Sequence, residues 1–128
     1  MARFGRKSNE RLGTCHPDLV KLANMAIKIM DFSVIEGART AETQLKYFNE
    51  GKSTLDGINK LSKHQVSEKK RLSTAMDIVP YPVDWDDMER FNRLVGIIQG
   101  VALVLGIKIR CGADWKSFVD YPHIELIT

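Results

Sequence analysis

The stretch AMDIVPY (75–81) decides how the rest of this sequence is interpreted. It is a short apolar run broken by Pro80, which is typical of a strand that ends there, because proline cannot donate a hydrogen bond to a neighbouring strand. Asp77 stands within the run. A carboxylate is costly to bury unless an arginine or a metal ion compensates its charge. The run therefore predicts a strand that carries a paired or ligating carboxylate.

On either side of this run, helical and strand-like patterns follow one another. Residues 1–13 show neither pattern and are expected to form an irregular arm, whereas residues 52–74 are polar and predict a long loop, which is often functional. The predicted helices are 17–30, a segment capped by Thr40 that stops at Gly51, and about 86–105 with Asp84 as its cap; the predicted strands are 32–37, 75–81, 107–111 and 123–127. This order predicts an α+β fold with a small antiparallel sheet packed with about three helices.

Composition limits the possible classes of protein. The 128 residues are the usual size of one domain, and 44% hydrophobic with 27% charged residues is typical of a folded globular chain. A net charge of +3 is too small to predict a nucleic-acid partner. Cys15 and Cys111 are far apart and are expected to be reduced. The N-terminus lacks the apolar centre of an export signal, and the most apolar stretch, 95–107, is too short to span a bilayer, so we expect a cytoplasmic origin.

Two of the three histidines could act together with Asp77. His64 lies in the polar loop and His123 begins the last strand. Two imidazoles and one carboxylate are a common ligand set for catalytic zinc, which keeps a fourth position for water. Asp120 precedes His123 by three residues and could serve as a general base, and Glu125 would share a strand face with His123. Spacing alone leaves the alternative open that Asp77 pairs with an arginine.

Several motifs together carry a family resemblance. They are HPDLVKLANMA (16–26), EGART (36–40), SKHQ (62–65) with its continuation STAMDIVPY (73–81), CGADWKSFVD (111–120) and PHIEL (122–126). In this order they resemble the zinc peptidase family that contains VanY-type D-Ala-D-Ala carboxypeptidases and phage L-alanyl-D-glutamate endolysins, and they are most similar to the phage members. The resemblance extends from about residue 11 to the end. It implies a hedgehog/DD-peptidase-like zinc peptidase fold, with residues 1–128 as one catalytic domain.

The resemblance also implies roles for individual residues. One Zn²⁺ per chain would be held by His64, Asp77 and His123, with Asp120 as the catalytic base. Arg39 would steady the substrate carbonyl and the negative charge that develops on its oxygen. Further residues that could support the ligands or contact substrate are Glu125, Trp115 and Gln44.

One departure from the family pattern lies between two of the implied ligands. Asp77 follows His64 by thirteen positions, about six more than the family's SxHxxGxAxD segment gives. The extra residues fall within VSEKKRL (66–72). A polar surface insertion costs little stability, because loop-closure entropy rises slowly with length. We expect a surface bulge that leaves the site intact and could contact substrate; the alternative is a disrupted site.

The function implied by the resemblance is hydrolysis of the L-Ala–D-Glu bond in peptidoglycan stem peptides by a phage-type endolysin. Such an enzyme is expected to be a monomer that stays in the host cytoplasm until a holin gives it access to the wall. Two alternatives remain at this stage: a D-Ala-D-Ala carboxypeptidase or dipeptidase of the same family, and a non-catalytic cell-wall-binding domain. A third alternative, a basic nucleic-acid-binding domain, is supported by the net charge alone.

Overall fold

A computed structural model describes residues 2–115 and 119–127. Within them, four α-helices and one short 3-10 turn accompany a four-stranded antiparallel sheet, which confirms the α+β class. The elements are α1 (Arg6–Leu12), α2 (Pro17–Ala26), β1 (Phe32–Glu36), α3 (Ala41–Asn49), β2 (Ala75–Pro80), α4 (Met88–Leu105), β3 (Ile109–Cys111), the 3-10 turn (Gly112–Asp114) and β4 (His123–Leu126). Among the described residues, no helix is both long and apolar enough to cross a membrane.

The sheet separates the core from the functional face. Its strand order is β1-β2-β4-β3, so β2 and β4 are the central pair. Met76, Ile78 and Ile124 are fully buried in the core that α2 and α4 cover. Because side chains alternate along a strand, Asp77 and His123 lie on the opposite face, and the register makes them direct neighbours across β2 and β4.

A β-bulge in β1 adds another polar side chain to that face. Val34 pairs with Ile78, and simple alternation would turn Glu36 toward the core together with Val34. A register shift between these two residues instead places Glu36 opposite Asp77. The bulge therefore brings the carboxylate of Glu36 to the functional face.

The expectation that residues 1–13 are irregular was wrong, because they contain α1, a fourth helix beyond the three that were expected. Its segment RKSNERL has no apolar period, so nothing in the local pattern predicts it. Tertiary contacts hold it instead: Val34 donates its backbone N–H to Ser8 Oγ (3.0 Å), and Arg11 Nη1 donates to the carbonyl of Val34 (3.1 Å). These bonds attach α1 to the edge strand β1, which is thereby shielded from pairing with other chains.

Two helix starts show where local signals succeed and fail. Thr40 caps α3 as predicted, because its side chain accepts a hydrogen bond from Thr43 N. For α4 the predicted cap Asp84 was wrong. Asp87 caps this helix by accepting from Arg90 N, whereas Asp84 closes a separate turn.

Candidate active site

Three side chains converge on the functional face of the sheet. Asp77 comes from β2, His123 from the start of β4, and His64 from the long loop that precedes β2. His64 Nε2 lies 3.1 Å from Asp77 Oδ1 and 3.2 Å from His123 Nδ1, and the latter is 3.4 Å from Asp77 Oδ1. One ligand atom from each residue thus falls within 4.8 Å of the others, a spacing that one metal ion can bridge.

Both imidazoles are oriented by a bond on the side away from this cluster. His64 Nδ1 donates to the carbonyl of Gly37 at 2.9 Å, and His123 Nε2 donates to Glu125 Oε1 at 2.8 Å. Each bond fixes the tautomer of its ring. His64 Nε2 and His123 Nδ1 therefore turn their lone pairs toward Asp77 when the rings are neutral. Metal-ligating histidines are usually held in this way.

The electrostatics of the cluster favour a positive charge at its centre. Burial alone would lower the pKa of His123, but hydrogen bonds with Asp77 and Glu125 outweigh it and raise that pKa to about 9. Burial would raise the pKa of Asp77, yet the bonds with His123 and His64 hold it well below its usual range. Burial would also raise the pKa of Glu125, but the hydrogen bond with His123 lowers it below its ordinary value. The two carboxylates stay ionised and attract a proton or a cation.

Asp120 lines the same cleft, and Gly112 holds it there. The backbone N–H of Asp120 donates to the Gly112 carbonyl (3.0 Å), and His123 N donates to the Asp120 carbonyl (3.1 Å). A Cβ on Gly112 would collide with that carbonyl and lie 3.0 Å from His123 Cβ. Only glycine therefore permits this close approach. Burial, reinforced by the charge of Asp77, raises the pKa of Asp120 above its ordinary value.

Arg39 enters the cleft from the segment between β1 and α3. Its guanidinium bonds to Glu36, donates to Gln44 Oε1 (2.6 Å), and lies over the ring of Tyr47 at 4.7 Å from its centroid. Tyr47 in turn donates its hydroxyl to Glu36 (3.1 Å). Arg39 Nε is buried and has no hydrogen-bond partner among the described residues. The contacts with Glu36, Gln44 and Tyr47 thus hold the positively charged guanidinium of Arg39 beside the cluster.

Gln44 supports the cleft from behind. It is fully buried, and its amide nitrogen donates to Ser53 Oγ (3.0 Å) and to the Leu55 carbonyl (2.6 Å) while its oxygen accepts from Arg39. Gln44 is not one of the described residues that line the cleft. It therefore links Arg39 to the 53–55 wall of the cleft, a supporting position and not one that contacts a bound molecule.

Trp115 forms a wall next to the cluster. Its ring packs against the His123 imidazole with 4.9 Å between ring centroids. The cleft has a volume of about 240 Å³. Its described lining comprises Glu36, Arg39, Tyr47, Lys52, Ser53, Thr54, Leu55, Ser62, His64, Asp77, Trp115, Asp120 and His123. The predicted ligands, base and cation thus share one cavity, and Glu125 lies directly behind His123.

Hydrogen bonds hold both ends of the 66–72 insertion in place. Val66 N donates to the Arg39 carbonyl (2.9 Å), and Ser73 N donates to the Thr14 carbonyl (2.9 Å). Thr74 N and Lys70 Nζ both donate to the Lys63 carbonyl, at 3.0 and 2.8 Å. These bonds return the chain to the start of β2, so His64 and Asp77 meet although thirteen positions separate them.

Sequence reasoning missed the supporting contacts of the site. The Gly37 carbonyl that orients His64 and the close approach at Gly112 depend on backbone geometry, for which a sequence has only the glycine itself as a signal. Glu36 and Tyr47 were also missed. Glu36 is part of the EGART motif, so the motif could have indicated it.

Comparisons with known proteins gave matches to one kind of peptidase. The family model described as phage L-alanyl-D-glutamate peptidase matches residues 1–127. The L-alanyl-D-glutamate peptidase of Escherichia phage T5 is 34% identical over 129 residues, covering 97% of this chain and 88% of that protein. The crystal structure of Serratia marcescens L-Ala D-Glu endopeptidase ChiX superimposes with a TM-score of 0.81 at 29% identity, covering 98% of this chain and 90% of the other.

Proposed function

This chain belongs to the phage L-alanyl-D-glutamate peptidase family, and from that membership and its cleft we propose that it is an endolysin that hydrolyses the L-Ala–D-Glu bond of peptidoglycan stem peptides. The observation that carries the proposal is the cluster of His64, Asp77 and His123 in one cleft with Asp120 and Arg39. A non-catalytic wall-binding domain would need none of this arrangement.

The donor set fits a zinc ion. Two imidazole nitrogens and one carboxylate oxygen match the three protein ligands of catalytic zinc sites, and each imidazole has a partner on its far side. We infer that His64, Asp77 and His123 hold one Zn²⁺ per chain. When bound, the ion would polarise the scissile carbonyl and acidify water in the site.

The other residues of the cleft supply proton transfer and charge stabilisation. Asp120 would accept a proton from the attacking water and deliver it to the nitrogen of D-Glu as the C–N bond breaks, which yields a carboxyl group on L-Ala and a free amine. Its raised pKa suits both halves of this task. Arg39, held by Glu36 and Gln44, would face the carbonyl oxygen as negative charge develops on it.

The proposal extends to organisation and access. Residues 1–128 would act as one catalytic domain and as a monomer, with the 52–74 loop contributing Ser53, Thr54 and His64 to the cleft. A phage enzyme of this kind would reach the wall from the host cytoplasm after a holin has opened the membrane. The family's association with phages supports this route.

The direct test uses purified peptidoglycan and mass spectrometry of the products. We expect new amino groups on D-Glu and none from released terminal D-Ala, and we expect a chelator to stop the reaction until Zn²⁺ is restored. Release of D-Ala would instead identify a carboxypeptidase. Sedimentation with walls without any hydrolysis would identify a binding domain.

Glu125→Gln is expected to weaken zinc affinity by about 10- to 100-fold, because it replaces the charged acceptor that orients His123 with a neutral one. The measurement is competition with a chelating indicator. Glu68→Gln, an exposed carboxylate in the insertion, is the matched control and should leave affinity unchanged. Equal affinities for the two variants would show that Glu125 does not tune the ligand.

Zinc binding to the metal-free protein at neutral pH is expected to release about one proton. The pKa of His123 is about 9 without the ion, so its imidazolium must lose a proton before Nδ1 can bind a metal. Apparent affinity should fall as pH falls, by up to about tenfold per pH unit below 9, and level off above it. Calorimetry in buffers of different ionisation enthalpy measures the proton count, and a count near zero would contradict this account.

A further inference from the structure

A second cavity shares Asp77 and Asp120 with the cleft. It has a volume of about 400 Å³, and we call it the apolar arm. Its described lining is Ile35, Asp77, Trp85, Met88, Phe91, Val119, Asp120, Tyr121 and Pro122. Apart from the two shared carboxylates, every one of these side chains is apolar or aromatic. The proposed catalytic centre therefore stands at the junction of two different surfaces.

The cleft itself has a polar lining, and we call it the polar arm. Arg39 and Lys52 line it together with the hydroxyl groups of Ser53 and Thr54. Lys52 Nζ is 3.3 Å from Glu50 and lies over the Tyr47 ring, so its charge stays at the rim. Both cations have acidic partners, Glu36 for Arg39 and Glu50 for Lys52. An extended substrate that crosses the junction would thus meet charged and hydroxyl groups on one side and apolar surface on the other.

The proposed substrate has a matching asymmetry. On the amine side of the scissile bond, D-Glu carries a free carboxylate next to the nitrogen. On the acyl side, L-Ala carries a methyl group and continues through a lactyl ether into the N-acetylmuramyl sugar, which is uncharged. A carboxylate is costly to place against apolar surface, so the D-Glu side favours the polar arm and the uncharged acyl side favours the apolar arm.

We propose that the apolar arm binds the L-alanyl and N-acetylmuramyl portion of the substrate, with Trp85 as the platform for the sugar ring. The proposal rests on the proposed function and adds the direction in which the stem peptide lies. It makes the enzyme selective for stem peptides that are still attached to the glycan.

Trp85 has the geometry of a platform. Its side chain is 57% exposed, so part of the ring is open to solvent beside the cavity that it lines. It stacks on buried Phe91 with 5.6 Å between centroids and 26° between planes, and Phe91 also contacts Tyr121 at 6.4 Å. A ring fixed on one face by the core offers its other face to a ligand at small entropic cost.

The test compares two substrates that share one peptide sequence, a disaccharide-linked stem peptide and the same peptide without sugar. Trp85→Ala is expected to raise KM for the disaccharide substrate by about 3- to 10-fold more than for the free peptide, with kcat changed by less than about twofold. Trp85→Phe should recover most of the loss, because it restores a flat ring. Phe48→Ala, an exposed aromatic outside the described lining of either arm, is the matched control.

The outcomes separate the two proposals. If the wild-type protein cleaves neither substrate, the proposed function fails. If it cleaves both and Trp85→Ala changes both KM values equally, or neither, the sugar does not bind the apolar arm. Should Trp85→Ala fail to fold, Met88→Gln on the same wall is measured instead and must show the same selective rise in KM.

Discussion

Replacing Asp120 by asparagine is expected to lower kcat for stem-peptide hydrolysis by about 10²- to 10⁴-fold, the usual contribution of a general base. Asparagine keeps the size of the side chain and removes its ability to accept a proton. The backbone bonds that Asp120 makes with Gly112 and His123 do not involve the side chain, so the loop should keep its shape. The variant should therefore still bind one metal ion per chain, measured by atomic emission alongside the kinetics.

Asp114→Asn is the matched control, since this exposed carboxylate lies in the same segment and accepts from Gln99 at 2.8 Å outside the cleft. It should retain activity within about twofold, because Asp114 is outside the described lining of the cleft and surface substitutions usually change stability little. If Asp120→Asn lost its metal, Asp120 would be a ligand and the base would have to be sought elsewhere. If it kept full activity, no proton would pass through this side chain.

Replacing His64 by alanine is expected to abolish both metal binding and activity. Only Asp77 and His123 would remain as ligands, and a zinc site needs three protein donors to hold the ion firmly. We expect metal affinity to fall by more than about 100-fold, beyond the effect of losing a supporting contact. Metal content after dialysis against equimolar zinc and the rate of peptidoglycan hydrolysis are the two measurements.

His16→Ala is the control for this variant. His16 caps α2 by accepting the Asp18 N–H at 3.0 Å, far from any role in the cleft. Its loss should cost about 1 kcal/mol of stability and no metal. A full metal content in His64→Ala would mean that the ion is held by a different set of residues.

The sequence predicted the sheet well because its strands are short runs with strong local signals. AMDIVPY and HIEL are apolar runs with clear boundaries, and they became the central pair β2 and β4. Helix α1 could not be predicted in the same way, because the hydrogen bonds of Ser8 and Arg11 that hold it form only with β1 in place. Likewise, Asp84 and Asp87 are equally good caps by composition, but it is Asp87 that accepts the Arg90 N–H in the first turn of α4.

Residue types and motifs predicted the site residues better than they predicted the site's surroundings. His64, Asp77 and His123 were selected by ligand chemistry and family resemblance, and the structure places them within bridging distance. The insertion could not be resolved from sequence, because its geometry depends on bonds such as that between Val66 and the Arg39 carbonyl. The apolar arm is also a product of assembly, since its walls come from segments that are distant in the chain.

The cluster of ligands has a mechanical consequence for the whole chain. Both cysteines are free thiols, so no covalent bond links distant parts of the fold. An ion held by His64, Asp77 and His123 would tie together positions 59 residues apart, much as a disulfide does. At a free metal concentration 100 times the dissociation constant, such a tether adds about 2.7 kcal/mol to the stability of the folded state. Zinc availability would then govern the lifetime of the molecule among the proteases of a lysed cell.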